Sequence, residues 1–206
     1  MARDVTIFVV DDEAQVSDSL ALLLATADIR VASFASGEAF LAAERPREPY
    51  CVLLDVRLPG MSGLEVLRRL SAPGSNAVVI IITGHGDVPT AVSAMRAGAF
   101  HFIEKPFDSE VLIELVEEAL AHIDRLADDL ARTERVCECF NALTPREKEV
   151  LELLVEGFPS KLVAHKLGIS IRTAEHHRAA VMKKMRARTL SHLVRMRLSI
   201  AAAPRG

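Results

Sequence analysis

Five polar residues in the first half of the chain each end or directly follow an apolar run: Asp11, Asp12, Asp55, Thr83 and Lys105. The lysine stands in the stretch FIEKPF, where an ammonium group in apolar surroundings needs an anionic partner. Carboxylates that crowd together resist full ionisation unless a cation joins them. If the five residues meet in space, three carboxylates and one lysine therefore form a mutually dependent charge cluster.

Such a cluster suits phosphoryl transfer. Oxygen ligands with open positions favour Mg²⁺, and a carboxylate can attack phosphorus while the metal and a lysine neutralise the charge. We predict that Asp55 is the phosphoryl acceptor, because it stands alone at the end of its run. Asp11 and Asp12 would then hold Mg²⁺. Lys105 would pair first with Asp55 and then with the phosphoryl group, towards which the Thr83 hydroxyl could swing.

Each of these residues alone also has an ordinary structural interpretation. A single Asp after a strand usually caps a turn or helix, and Thr83-Gly84 reads as a simple turn. Only their position at successive strand ends makes a shared site the better interpretation. Pro106 adds to it, since a cis X-Pro bond would fix the direction of Lys105.

Five continuous apolar runs predict the strands that would position these residues. They alternate with helical patterns, which is typical of an α/β fold: a doubly wound, five-stranded parallel sheet whose strands open their carboxyl ends on one edge. The strands are predicted at 5–10, 31–34, 51–55, 77–83 and 100–103, and the helices at 13–26, 36–44, 63–71, 88–97 and after the N-cap Asp108.

The last of these helices runs without Gly or Pro from about 109 to 140. Its apolar positions step by three and four residues, as in a coiled coil. Two interpretations stay open: a seam that pairs two chains, or a helix whose first half packs on its own domain and whose second half is a solvated connector. The seam comprises Val116, Ala119, Ile123, Leu126, Leu130, Thr133 and Cys137.

The last third of the chain reads as a small all-α domain with four helices. Two of them, joined by the short turn Gly168–Ser170, make a helix-turn-helix in which the following helix is the reader. The predicted caps are Thr144 with Pro145 and Glu147 as a capping box, then Ser160 and Ser170, and the predicted stops are Gly157 and Gly168. The predicted domains are 1–125, a helical linker 126–141, and 142–206.

Charge divides the chain in the same place. Residues 1–141 hold 12 basic against 23 acidic residues, whereas residues 142–206 hold 13 against 5. A basic domain of this kind meets a polyanion, so we expect double-stranded DNA as a partner. No apolar run approaches the length of a membrane span, and an odd count of three cysteines fits a reducing compartment, so we expect a cytoplasmic protein without a membrane partner.

The reader helix has an inward stripe of Ala174, His177 or Arg178, Val181 and Met185. The opposite face would enter the major groove, with Glu175 accepting from cytosine and Ala179 touching a thymine methyl group. Phosphate contacts suit the basic and hydroxyl side chains. The predicted DNA-binding residues are Lys161, Arg172, Thr173, Glu175, His176, Ala179 and Lys183. A metal site is not expected at His176-His177, which lie on different faces, or at Cys137-x-Cys139.

The motifs VVDDE, LLDVRLPGMSG, IIITGHGDV and AGAFHFIEKPF resemble those of receiver domains of two-component response regulators, and the last third resembles the LuxR-type DNA-binding domain. Together they are most similar to response regulators of the FixJ type. The resemblance implies that a sensor histidine kinase phosphorylates Asp55. It implies Mg²⁺ on Asp11, Asp12, Asp55 and the backbone carbonyl of Arg57. It also implies a switch formed by Thr83 and Phe102, where the family often has Tyr and this chain lacks that hydroxyl.

The resemblance further implies that phosphorylation remodels a face of the fourth helix and fifth strand, which then dimerises. The sequence places Val88, Val92, Met95 and Ala99 there, and these residues could equally be plain core packing. We expect the phosphorylated homodimer to bind two promoter half-sites, with further pairing through the 110–140 helix and RNA polymerase as a candidate partner.

We therefore expect a phosphorylation-activated transcriptional regulator rather than an enzyme. One alternative is a Mg²⁺-dependent aspartyl-phosphate phosphatase or phosphotransferase, which usually wants an acid two residues beyond the nucleophile, where this chain has Arg57. The other is a ligand-gated helix-turn-helix regulator, which needs an apolar pocket in the first domain where the sequence predicts an acidic one.

Overall fold

The computed structural model describes residues 6–44, 46, 49–72, 75–84 and 88–202, without the side chains of residues 201 and 202. The chain forms two compact units, Met1–Ala127 and Asp128–Gly206. Val5, which the sequence pattern assigns to the first strand, lies outside the described residues, as do residues 85–87 of the IIITGHGDV motif and residues 203–206 of the last predicted domain.

The first unit contains a five-stranded parallel sheet, as the apolar runs predict. Its strands follow the order β2-β1-β3-β4-β5, so the chain reverses direction along the sheet between β2 and β3. The strands are β1 Thr6–Val10, β2 Arg30–Phe34, β3 Tyr50–Asp55, β4 Ala77–Thr83 and β5 His101–Glu104.

Helices cover both faces of this sheet. One buried apolar cluster joins one sheet face to α1 and α5, and another joins the opposite face to α2, α3 and α4. The three central strands β1, β3 and β4 are buried on both sides, which explains why their sequences are continuously apolar rather than alternating. The helices are α1 Ala14–Ala25, α2 Gly37–Ala42, α3 Gly63–Leu70, α4 Val88–Arg96 and α5 Ser109–Asn141.

Helix α5 has 33 residues and begins after Asp108, whose carboxylate accepts the Glu110 N–H at 2.8 Å. Val116, Ala119 and Ile123 of the predicted seam are buried in the core of the first unit. That half of the seam therefore packs on its own domain. The far end is not merely a solvated connector, because Val136 is buried in the core of the second unit.

The second unit continues from the end of α5 with four helices, α6 Pro145–Val155, α7 Ser160–Leu167, α8 Ile171–Lys184 and α9 Leu190–Ala202. The predicted capping box of Thr144 and Glu147 is present. Gly168 ends α7 with φ of 63°, and Ser170 caps α8. The prediction for Ser160 is wrong: Pro159 takes the N-cap position in an extended conformation, and Ser160 is already helical without capping a backbone group.

The inward stripe of α8 is as predicted. Ala174, Val181 and Met185 are buried in the core that α6, α7 and α9 share. His177 is half-buried and Arg178 is exposed, so the histidine takes the fourth inward position. This leaves the opposite side of α8 to solvent.

Candidate functional site

The strand ends of the first unit bring together the residues that the sequence separates by up to 94 positions. Asp11 follows β1, Asp55 ends β3 and Lys105 follows β5. The Lys105 Nζ lies 2.6 Å from Asp11 Oδ2 and 3.2 Å from Asp55 Oδ1. One ammonium group therefore bridges two carboxylates that are both more than 90% buried, and the anionic partner that FIEKPF demands is found.

Backbone groups hold the remaining oxygen of each carboxylate. The Glu13 N–H donates to Asp11 Oδ1 at 2.9 Å, and the Arg57 N–H donates to Asp55 Oδ2 at 2.5 Å. Each carboxylate oxygen can accept more than one interaction, so these bonds orient the two side chains without exhausting them. The arrangement leaves lone pairs for a cation or an incoming electrophile.

Burial and charge compete in this pocket. Burial raises the pKa of Asp55, and the nearby Lys105 charge and the Arg57 N–H only partly offset it. For Lys105, burial is the largest single influence and lowers the pKa, but the hydrogen bond and charge of Asp11, with the charge of Asp55, together hold the pKa above its usual value. The lysine thus stays charged beside a carboxylate that is costly to ionise.

Thr83 and Phe102 lie on the neighbouring strands β4 and β5. Thr83 is buried at the end of β4, and its carbonyl accepts the Lys105 N–H at 2.8 Å. The Lys105–Pro106 peptide bond is cis, as the sequence interpretation allowed. Phe102 packs partly buried against the cluster on the α2, α3 and α4 side of the sheet. Thr83 and Lys105 are therefore linked directly, while Phe102 pairs with Ile81, two residues before Thr83 on the adjacent strand.

Asp12 differs from these two buried carboxylates because its side chain is exposed to solvent. Within the described part of the chain, no group of three His, Cys, Asp or Glu side chains is placed to hold a metal ion. Two buried carboxylates with spare lone pairs still fit Mg²⁺, which takes one or two protein carboxylates and completes its shell with water and phosphate oxygens.

The predicted DNA-binding residues are all exposed to solvent. They are Lys161 on α7 and six residues on α8: Arg172, Thr173, Glu175, His176, Ala179 and Lys183. The Thr173 hydroxyl lies 2.8 Å from that of Ser170, which also caps its N–H. The neighbouring Lys184 forms an ion pair within the second unit, because its Nζ donates to Glu147 Oε2 at 2.7 Å.

Comparison with known proteins agrees with both halves of this description. Residues 7–117 match the response regulator receiver domain, and residues 141–197 match the bacterial regulatory proteins of the luxR family. The chain is a response regulator of this family. It is 45% identical over 205 residues to the transcriptional regulatory protein FixJ of Azorhizobium caulinodans, which covers 99% of this chain and 97% of the relative.

Other relatives of this response regulator span its whole length too. FixJ of Rhizobium meliloti is 45% identical, covering 98% of each chain. The structure of the response regulator StyR has a TM-score of 0.79 at 37% identity, covering 94% of this chain and 98% of StyR. Full-length FixJ from B. japonicum has a TM-score of 0.58 at 41% identity, covering 97% and 98%.

These matches establish a phosphorylation-activated transcriptional regulator, and they do not favour the alternatives of an aspartyl-phosphate enzyme or a ligand-gated regulator. A receiver domain has a sensor kinase as partner and generally uses Mg²⁺, and the luxR-family domain binds DNA. Among the described residues, no helix combines the length and apolarity needed to cross a bilayer.

The α4 face of this response regulator is open rather than part of the core. Val88, Val92 and Met95 are 76%, 44% and 49% exposed, whereas Ala99 is buried. The interpretation as plain core packing is therefore wrong for the first three and right only for Ala99. Three exposed apolar side chains along one helix give the first unit a surface suited to a partner.

One residue of the pocket was not predicted from the sequence. Gly63, the first residue of α3, donates its N–H to the Val56 carbonyl at 2.9 Å. A Cβ at this position would lie only 1.9 Å from the Asp55 carbonyl oxygen. The signal was present as a second glycine in the LPGMSG loop after the strand, but a loop glycine alone does not reveal which backbone it approaches.

Proposed function

We propose that Asp55 is the residue that a sensor histidine kinase phosphorylates in this response regulator. The observation that carries this proposal is the Lys105 Nζ bridging Asp55 and Asp11 at the carboxyl edge of the sheet. Asp55 has a buried carboxylate with a fixed cation beside it, and burial raises its pKa, a perturbation typical of functional carboxylates. Structural carboxylates usually show the opposite shift.

In the reaction, an Asp55 carboxylate oxygen attacks the phosphorus of the kinase phosphohistidine. A P–O bond forms as the P–N bond breaks, and its electron pair leaves with the imidazole, which takes a proton from solvent. Lys105 follows the developing charge onto a phosphoryl oxygen, while the Thr83 hydroxyl turns to another. The Arg57 N–H holds the second Asp55 oxygen and keeps the carboxylate aimed.

Asp11, Asp12, Asp55 and the Arg57 carbonyl are the groups that would hold Mg²⁺ in this pocket. The ion supplies neutralisation of the phosphoryl oxygens. The two buried carboxylates with spare lone pairs support this set, and Asp12 directly follows Asp11 in the chain, with an exposed side chain.

Phosphorylation would then act on the face that β4, β5 and α4 share. Thr83 and Phe102 are the proposed switch, because they lie on the paired strands β4 and β5. The Thr83 carbonyl also accepts the N–H of Lys105, which directly follows β5. The exposed Val88, Val92 and Met95 supply an apolar surface for a second copy. Because half of the α5 seam is buried, we assign dimerisation to this face and at most the 130–137 part of α5.

The dimer would bind promoter DNA through the exposed side of α8. Arg172, Thr173, Lys183 and Lys161 are the proposed phosphate contacts, and Glu175, His176 and Ala179 are the proposed groove contacts. We place this function in the cytoplasm, with RNA polymerase as a further partner, and assign no catalytic turnover to the chain itself.

The experiment is incubation of the full chain with acetyl phosphate and Mg²⁺. We expect one acid-stable, base-labile phosphate per chain on Asp55, and none in Asp55→Asn, with the exposed Asp18→Asn of α1 as matched control. Phosphate on another residue, or full labelling of Asp55→Asn, would show that the acceptor lies elsewhere. Continuous release of phosphate over many turnovers would instead support a phosphatase.

The output is tested separately by sedimentation and DNA binding after phosphorylation. Met95→Glu should keep the protein monomeric and weaken promoter binding, whereas Leu22→Glu, on the exposed side of α1, should not. If Met95→Glu dimerises normally, the α4 face is not the contact. Glu175→Ala should relax base preference at one position, and unchanged preference would remove its assignment.

A further inference from the structure

A cleft of about 270 Å³ lies within the second unit, bordered by the C-terminal part of α5, the end of α8 and α9. Its lining residues include three exposed arginines, Arg132, Arg135 and Arg186, and one acid, Glu138. The lining therefore has an excess of positive charge. None of the residues proposed above to contact DNA lines the cleft.

The inside of the cleft is apolar. Val136 and Met185 are buried, while Cys139 and Met196 are half-buried. Methionine side chains adapt to ligands of irregular shape because they are unbranched and polarisable. Exposed cationic groups beside buried apolar side chains match a molecule with an anionic group at one end and an apolar body at the other.

The conformations of Arg135 and Arg186 are relevant to whether these arginines bind a ligand. The Arg135 Nε donates to the Ala131 carbonyl at 3.0 Å, which fixes the side chain and leaves its terminal N–H groups for another acceptor. Arg186 follows the C-cap Met185 with φ of 53°, in the left-handed region where glycine is usual after a helix. Keeping an arginine there costs conformational energy, which favours a use for its guanidinium group.

We propose that this cleft binds a small organic carboxylate with an apolar body. A guanidinium group binds a planar carboxylate through two parallel hydrogen bonds, whereas a compact cation would not select for this geometry. The volume lies just below the range of about 300–1,000 Å³ that drug-sized ligands occupy, which suits a smaller acid such as benzoate. All of its lining residues belong to the second unit, so the proposal does not rest on phosphorylation at Asp55.

The test titrates the full chain with sodium benzoate and follows binding by NMR saturation transfer. We expect saturable binding in the millimolar range or tighter, and at least 10-fold weaker binding of the neutral analogue benzamide. The double variant Arg132→Gln, Arg135→Gln should also bind benzoate at least 10-fold more weakly. Arg125→Gln, an exposed arginine of the same helix outside the cleft, is the matched control and should bind as the unaltered chain does.

Arg186→Gly removes the guanidinium group while suiting the backbone, so it tests the site without endangering the fold. It should weaken benzoate binding several-fold at unchanged or higher thermal stability. Equal binding of benzoate and benzamide, or unchanged binding in either arginine variant, overturns the proposal. The proposal is also overturned if benzoate shows no saturable binding. This holds even if a short peptide that contains Asp and Leu binds at these arginines instead.

Discussion

Each unit contains a lysine bound to a carboxylate at nearly the same distance, yet the two pairs have opposite electrostatics. In the first unit Lys105 lies 2.6 Å from Asp11 and 3.2 Å from Asp55, and burial raises the pKa of Asp55. In the second, Lys184 lies 2.7 Å from Glu147, and that hydrogen bond, with the Thr144 N–H, lowers the pKa of Glu147 to about 2.

The difference lies in burial, which is the largest influence on the pKa of Asp55, whereas hydrogen bonds outweigh it at Glu147. Lys105 is one cation shared by two buried acids, and together with the Arg57 N–H it only partly offsets the effect of burial on the pKa of Asp55. Glu147 has its own lysine, the backbone N–H of the helix it caps and a place near the positive end of α6. A lysine–carboxylate contact thus belongs to the proposed phosphorylation pocket in one unit and to a helix cap in the other, and the balance between burial and hydrogen bonding sets the direction of the pKa shift.

The largest expected effect comes from removing the shared cation. Lys105→Gln should slow phosphorylation by acetyl phosphate about 10²-fold, because it removes a fixed donor to the developing phosphoryl charge. The rate of label incorporation by the folded chain measures this, with the exposed Arg96→Gln of α4 as control. Equal rates in the Lys105 and Arg96 variants would mean that Lys105 is structural, like Lys184.

Removing the dedicated acid should act on folding instead. Glu147→Ala breaks the capping box and the Lys184 contact, and should lower the free energy of unfolding of the second unit by about 2 kcal/mol. Hydrogen exchange of α6 and α8 amides in the full chain measures the loss. Glu149→Ala, which removes an exposed acid of the same helix, should change it by less than about 0.5 kcal/mol. A loss in the control as large as that of Glu147→Ala would refute the structural role of Glu147.

Acid should distinguish the two pairs as well. Because folding lowers the pKa of Glu147 from 4.5 to about 2, its contribution to stability is complete above pH 4.5 and disappears as the pH falls towards about 2. The hydrogen-exchange protection of α6 should therefore decline less steeply over this range in Glu147→Gln than in the unaltered chain. Parallel profiles would show that another group dominates.

The smallest effect has the opposite sign. Folding raises the pKa of Asp55, so the folded state binds that proton more tightly and ionised Asp55 opposes folding at neutral pH. Asp55→Asn should therefore raise the free energy of unfolding of the first unit, by about 0.5–1 kcal/mol. Thermal unfolding followed by circular dichroism measures it, with Asp18→Asn as control, and a clear loss of stability would mean that the pair anchors the sheet.

Much of the fold could be predicted because its signals are local. The continuous strand runs and the Thr144, Ser170 and Gly168 caps each act within a few residues, and the structure has them as predicted. The prediction for Ser160 was wrong because serine is favourable both as an N-cap and in the first turn of a helix. In the structure Pro159 is the N-cap, so Ser160 lies in the first turn. The ends of α5 followed from sequence, but its two packing partners did not, because the same apolar period serves a core or a second chain.

The candidate site divides in the same way. Convergence of Asp11, Asp55 and Lys105 follows from parallel strands sharing an edge, so spacing along the chain was enough. The exposure of Asp12 depends on how the loop turns after β1, and the exposure of Val88 and Met95 on what covers α4; neither is encoded in residue type. Gly63 was missed since its role is a close approach between two backbones.

The close approach of backbone at Gly63 means that the position of the proposed acceptor depends partly on the absence of a methyl group there. With Asp55's carbonyl oxygen only 1.9 Å from where that methyl would begin, even alanine would push apart the end of β3 and the start of α3. A survey of inactivating mutations should accordingly recover this uncharged, unreactive position alongside the acids and the lysine. The residues that the pocket requires therefore include Gly63, a position with no reactive side chain where any added atom would clash.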